Sequence, residues 1–184
     1  MLPFMGDELL RGDQVKLVPT IREDMPEFAR WAQDIEGQRL LRRGLVYPFT
    51  LQEIERWFSG ERDEHFFSFS IRTLDDDRLV GQLAIKDVMW QARNCSFFIL
   101  IGDKSDRGKG YGTDAVQVML KYCFQEMNLY RVGLEVMEYN PAAIRSYKNA
   151  GFTEEGRLRH FVYRDGVYYD IVLMSILRQE WDKA

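Results

Sequence analysis

Residues 107–112 read Arg-Gly-Lys-Gly-Tyr-Gly, with three glycines at alternate positions and two cations beside them. Glycine has no Cβ, so such a run can turn tightly and bring its backbone close to a ligand. Main-chain N–H groups gathered there, ahead of a helix N-terminus, make a concave set of donors suited to a diphosphate. Arg107 and Lys109 add positive charge at the same place. The spacing is wrong for a Walker A loop and for the G-x-G-x-x-G dinucleotide fingerprint. A plain glycine turn between strand and helix would share the composition, so the elements around the run must decide.

Those elements can be read from hydrophobic period. Residues 14–19 (QVKLVP) alternate as a first strand, and Met25, Phe28 and Trp31 mark a helix over 24–34. Thr50 with Glu53 forms a capping box that opens a second helix, running to about Phe58. Residues 65–73 and 79–90 are paired strands joined by a turn at 75–78, and the apolar run 94–101 predicts a strand buried on both faces. The glycine run follows directly. A helix from Tyr111 to about Met127 then places Ala115, Val118, Met119, Tyr122 and Cys123 on one stripe. Residues 131–138 form a strand. Residues 140–150 form a short helix closed by Gly151, in which Asn140 suits the N-cap and Pro141 the first helical position. Residues 152–163 and 167–177 are a hairpin turning at Asp165-Gly166. This pattern predicts a single α/β domain (α+β) over residues 1–184, with a mostly antiparallel sheet.

Composition narrows the function. The chain has 184 residues, is 46% hydrophobic and carries a net charge of −4, enough for one proper core and against general nucleic-acid binding. The two cysteines, Cys95 and Cys123, lie in apolar runs without a CxxC pair and read as small core residues, with no metal site. No apolar run approaches the ~18 residues of a membrane span. The first ten residues carry Asp7 and Glu8 where a signal peptide would be basic, so a cytoplasmic protein is expected. The triplet Asp75-Asp76-Asp77 reads as a solvated turn. His65 and His160 stand outside any motif; His160 could line a pocket, but a hairpin surface is the simpler reading. Tyr163, Tyr168 and Tyr169 could flank a substrate, and sheet packing explains them equally well.

Two segments together resemble a known family. Arg107–Gly112 is similar to the acetyl-CoA signature [Q/R]-x-x-G-x-[G/A] of the GNAT N-acyltransferase superfamily. Asn140-Pro141-Ala142-Ala143-Ile144-Arg145-Ser146-Tyr147 through Gly151-Phe152 resembles its N-x-x-A-I-x-x-Y-x-x-x-G-F segment. From Gly156 to Asp170 the chain is similar to the branch of ribosomal-protein N-terminal acetyltransferases and spermidine acetyltransferases. The resemblance implies a splayed, mostly antiparallel mixed sheet of about seven strands flanked by about four helices.

It also implies roles. The pantetheine arm of acetyl-CoA would pair with the backbone of Leu100, Ile101 and Gly102, and the diphosphate would sit on the loop Arg107, Gly108, Lys109, Gly110, Tyr111, Gly112 and Thr113. Asn140 would contact the cofactor arm. Tyr147 would protonate the departing thiolate, its alternative being a core aromatic one turn from Ile144. One family position for the base, on the strand before the loop, falls on Ser96, which cannot serve. The other falls on Glu135, which shares a strand face with Gly133 and Met137, opposite Leu134 and Val136. Glu135 or an ordered water is the expected base, with Glu138 a weaker candidate. The implied reaction is direct transfer in a ternary complex to a small-molecule amine or a protein N-terminus, with no metal. A non-catalytic acyl-CoA-binding module is the rival reading. Residues 1–65 carry no motif that identifies the acceptor, and exposed edge strands are compatible with a homodimer.

Overall fold

The computed structural model describes residues 8–58 and 63–183, with the backbone alone at Trp57 and Phe58. The strands are β1 (Val15–Pro19), β2 (Phe67–Thr73), β3 (Leu79–Met89), β4 (Asn94–Ile101), β5 (Arg131–Met137), β6 (Thr153–Arg164) and β7 (Val167–Leu177). The helices are α1 (Met25–Trp31), α2 (Ile35–Leu41), α3 (Leu51–Phe58), α4 (Tyr111–Lys121), α5 (Pro141–Asn149) and α6 (Arg178–Trp181). Residues 1–7, including Asp7 of the expected non-signal N-terminus, fall outside the described residues.

The strands form one sheet in the order β1-β2-β3-β4-β5-β7-β6. Every pairing is antiparallel but that of β4 with β5. These two run parallel and pair over residues 94–96 against 131–133 alone. Beyond that point β4 remains paired with β3 up to Ile101, and β5 with β7 up to Met137. The sheet therefore opens into a gap between β4 and β5, the splay that the family resemblance implies.

Each face of the sheet has its own core. On one face α4 lies under the middle strands, burying Ala115, Val118, Met119 and Cys123 of the expected stripe and also Val116 and Leu120. Tyr122 is packed there too, at the start of a π-helical turn over Tyr122–Glu126 that completes the helix expected to run to Met127. On the other face α1 and α3 bury Met25, Phe28, Trp31, Phe49 and Ile54 against Leu79 and Leu100. Both cysteines are free and buried, as their apolar context predicts.

Local chemistry explains most boundaries. The Thr50 amide donates to Glu53 Oε2 at 2.8 Å and the Glu53 amide to Thr50 Oγ1 at 3.3 Å, the reciprocal capping box. Asp165 and Gly166 both have positive φ, 50° and 84°, the backbone that lets a two-residue turn follow the twist of β6 and β7. Three expectations change. β4 is buried at Cys95 and Phe97 and half-buried elsewhere, since the gap strips it of a neighbour along much of its length. The helix expected over 24–34 ends at Trp31, and α2 follows as a separate helix. Among the described residues six helices stand where about four were expected, because short α2 and α6 have too little apolar period to announce themselves.

Candidate active site

The glycine run lies where β4 ends and α4 begins, beside the mouth of the gap. Gly108 and Gly110 have φ of 79° and 96°, a region that L side chains rarely adopt. A Cβ at Gly108 would have no atom within 4 Å, so the loop leaves open space on that side. Gly110 is the N-cap of α4, and it turns the first free amides of that helix towards the same corner. Asp114, in the first turn of α4, anchors the helix: it accepts from the amides of Asp13, Gln14 and Val15 at 3.1, 2.7 and 2.9 Å. The two motif segments meet here. Thr113 Oγ1 and Ser146 Oγ are 3.0 Å apart, one at the start of α4 and the other on α5.

The charges of the loop are internally engaged. Lys109 Nζ donates to Asp106 Oδ1 at 3.0 Å, and Arg78 donates to the same carboxylate at 2.6 and 3.2 Å. The Arg78 guanidinium holds the Asp106 carboxyl below the usual carboxylate range, with Lys109 assisting against burial. Arg107 points inward: Nε donates to the Ile101 carbonyl at 3.2 Å, and Nη2 to the Gly102 carbonyl at 2.9 Å and Asp34 Oδ2 at 3.0 Å. The Arg107 guanidinium thus ties the end of β4 to the start of α2.

The strand edge is also shifted by a residue. The Gly102 amide donates to the Val80 carbonyl at 3.0 Å, and Leu100, two residues back on the same antiparallel ladder, therefore also directs its backbone groups towards β3. By the alternation of a ladder, Ile99 and Ile101 direct theirs into the gap. Of Leu100, Ile101 and Gly102, Ile101 alone faces the space where an arm could add as a strand. Gly102 has another reason to lack a side chain: a Cβ there would fall 1.9 Å from the Trp31 indole.

Tyr147 sits on α5 with its ring edge-on to Phe97 of β4, 5.9 Å between centroids, and 5.9 Å from Phe152. Burial of the phenol pushes its pKa up to about 12. Asn140 caps α5, its Oδ1 accepting from the Ala143 amide at 3.2 Å, which leaves its side-chain N–H groups to serve a ligand. Core aromatic and helix cap are therefore both real roles, and neither removes the chemical one.

Glu135 lies on the opposite face of the sheet, exposed, with Oε2 2.6 Å from Arg43 Nη1. Glu138 is committed elsewhere, accepting from the Asp170 amide at 2.7 Å and from Arg157 at 3.4 Å. Ser96 donates to Asp87 Oδ2 at 2.5 Å and accepts from Lys86 at 2.9 Å, so a carboxylate from the neighbouring strand stands beside the position where serine replaces the family glutamate. On the same face opens a cavity of about 1100 Å³, floored by Phe98 and Leu100 and walled by residues of α1, α2 and α3. Its charged lining, Arg22, Arg42, Arg56, Glu55 and Asp63, mixes both signs. Sequence reasoning found none of this wall, because its members converge only through long-range folding. Arg43 was missed for the same reason.

The remaining candidates stay out of the site. His160 is an exposed bulge residue of the hairpin with φ 53°, and its amide donates to Asp170. His65 pairs through Nδ1 with the Val88 carbonyl at 2.5 Å. Tyr163 and Tyr168 are register partners with rings 5.0 Å apart, and Tyr169 meets Tyr139 edge-on at 4.9 Å. Asp77 turns with φ 55° and pairs with Lys16 at 2.9 Å. Among the described residues, no helix is long and apolar enough to cross a membrane.

Comparison with known proteins agrees with this geometry. A family model described as an acetyltransferase (GNAT) domain matches residues 14–153. A probable N-acetyltransferase of Bacillus subtilis, YjcK, is 35% identical over 65% of the chain, which spans 66% of that relative, just under two thirds. The spermidine N(1)-acetyltransferase of Escherichia coli K12 is 28% identical over 91% of the chain and 88% of its own length. A crystal structure of spermidine N-acetyltransferase from Vibrio cholerae with CoA and spermine superposes with a TM-score of 0.84, covering 91% of this chain and 98% of that one at 24% identity.

Proposed function

The chain belongs to the GNAT acetyltransferase family, and from that premise we propose that it transfers acetyl from acetyl-CoA to a primary amine by direct attack in a ternary complex. The observation that carries the reading is the open β4–β5 gap, with left-handed glycines at its mouth and Tyr147 against its wall. Acetyl-CoA suits this corner on three counts. Free amides from Gly108 to Thr113 serve a diphosphate. The Ile99 and Ile101 edge serves a pantetheine amide pair. Asn140 keeps spare donors beside them.

In the mechanism, the acceptor arrives on the Glu135 face as an ammonium. It has the same charge as the Arg43 guanidinium that now holds Glu135, and takes its place there. Glu135, or a water it orders, removes one proton. The amine lone pair then attacks the thioester carbonyl carbon, whose oxygen is polarised by strand amides in the gap. As the C–S bond breaks, the sulfur takes the electron pair and the proton of the Tyr147 hydroxyl, and the second proton of the attacking nitrogen passes through water to the tyrosinate, leaving a neutral amide. A free thiol has a pKa near ~8.5, well under that of a buried phenol. The same apolar surroundings that raise the phenol also raise the thiol, so donor and acceptor stay better matched than their values in water suggest.

The names of relatives support a polyamine acceptor. A second reading, a peptide N-terminus, is favoured by the cavity, whose apolar floor and three arginines against two acids are ill-suited to a polycation. The two buried free thiols suit a reducing, cytoplasmic setting. Incubation with acetyl-CoA and a panel of polyamines, peptides and aminoglycosides, read by product mass and CoA release, tests the proposal. A +acetyl product on one amine class is expected. CoA binding without release over the whole panel would replace the enzyme with a non-catalytic acyl-CoA-binding module.

A further inference from the structure

Helix α2 and the residues after it lie between the two banks of the gap and are tied to both. On the β4 side, Arg107 Nη2 holds Asp34 at 3.0 Å and Lys104 Nζ holds Glu36 at 2.6 Å. On the β5–β7 side, the Tyr139 hydroxyl donates to the Arg39 carbonyl at 2.8 Å, and Arg164 Nη2 donates to the carbonyls of Arg42 and Gly44, each at 2.9 Å. Arg43 itself reaches Glu135. The helix is thus a strap whose far end delivers a side chain to the expected base.

The near end hangs on Arg107. Its fork grips the carbonyls of Ile101 and Gly102 with one edge and the Asp34 carboxylate with the other. Burial pushes the Asp34 carboxyl up, but the Gly37 amide, Arg107 and Lys104 outweigh it, so Asp34 is held below the usual range and stays anionic. Gly37 is part of the joint: a Cβ there would lie 2.7 Å from Asp34 Oδ2 and 3.0 Å from Arg107 Nη2. No hydrogen bond of the Arg107 side chain among the described residues leads towards the open corner at Gly108.

We propose that Arg107, although it opens the acetyl-CoA signature, is a positioning residue for the amine acceptor: its side chain fixes α2 across the gap, and the diphosphate is left to main-chain amides. The inference rests on the acetyl-transfer reading. It makes the first signature residue a link between the cofactor loop and the acceptor wall, so that the two substrates share one mechanical support.

Three variants of the full chain test it: Arg107→Gln, Arg107→Lys and Asp34→Asn, each measured for acetyl-CoA Kd by calorimetry and for KM of the best amine. The amine KM should rise about tenfold in all three, and the acetyl-CoA Kd should stay within about twofold in Asp34→Asn, which leaves the Arg107 Nε bond to the Ile101 carbonyl of the pantetheine edge in place. Lysine keeps the charge but loses the fork, so it should fail to rescue. Arg107→Gln combined with Asp34→Asn should cost no more than either change alone, because both break one link. Asp34→Asn touches no cofactor-facing group, so an unchanged amine KM in that variant overturns the proposal even if the Arg107 variants fold poorly. A tenfold weaker acetyl-CoA Kd restored by lysine would also overturn it, returning Arg107 to the phosphates. If wild-type protein does not bind acetyl-CoA, the family reading fails first and separately.

Discussion

Tyr147 is asked to do two things that conflict in water and agree in a dry pocket. Its half-buried ring packs on the core against Phe97 and Phe152, and desolvation of the phenol there lifts its pKa to about 12. The proton is then retained at every working pH, as a donor to departing sulfur requires. Tyr147→Phe should lower kcat by about one to three orders of magnitude and leave the acetyl-CoA Kd unchanged. In wild type, kcat should show no fall with a midpoint near 10, the value of an unburied phenol; an alkaline limb there would mean that the hydroxyl is wetter than its packing implies. The family resemblance pointed to Tyr147, Asn140 and Glu135, each of which lies in or beside a contiguous motif. Spacing gave no sign of the internal partners of Arg107, Asp34 and Gly102, which are brought to it by α2 and the end of β4. A motif reports that a residue is needed. It does not report which way the side chain turns.

Elements that position the site divide in the same way. Long periodic segments such as α4, and turns with strict backbone demands such as Asp165-Gly166, were legible because their determinants are contiguous. Helix α2 was not legible: it has seven residues, a glycine in the first turn, and ion pairs just beyond both ends whose partners lie far away in sequence. The burial of β4 was misjudged because an apolar run is silent about whether a neighbouring strand will part from it. Gly102 is the clearest case of a glycine whose reason is tertiary, and it carries a prediction. Gly102→Ala must push the Trp31 ring away, costing about 2 kcal/mol or more of overpacking. Thermal unfolding should show a drop in Tm of several degrees, and an unchanged Tm would mean that the indole is not seated there.

At the scale of the molecule, an open sheet with a separate core on each face separates the chemistry by side. Tyr147 and the glycine loop belong to the α4–α5 face, while Glu135, Arg43 and the mixed-charge cavity belong to the α1–α3 face. The gap between β4 and β5 is where the two can meet through the thioester. Sheet class and splay were foreseeable from the motif resemblance, whereas the mixed-charge cavity is assembled from residues far apart in sequence, which have no shared period. Acetyl transfer at this gap requires a diphosphate held by loop amides at its mouth. Calorimetric titration of acetyl-CoA tests this most directly, in wild type and in Gly108→Ala, where φ of 79° disfavours any side chain although a Cβ has room. One saturable site per wild-type chain, weakened about tenfold by the alanine, is the result expected if strain of roughly 1–2 kcal/mol displaces the amides. Saturable binding that Gly108→Ala leaves untouched, or no saturable heat at all, would contradict it.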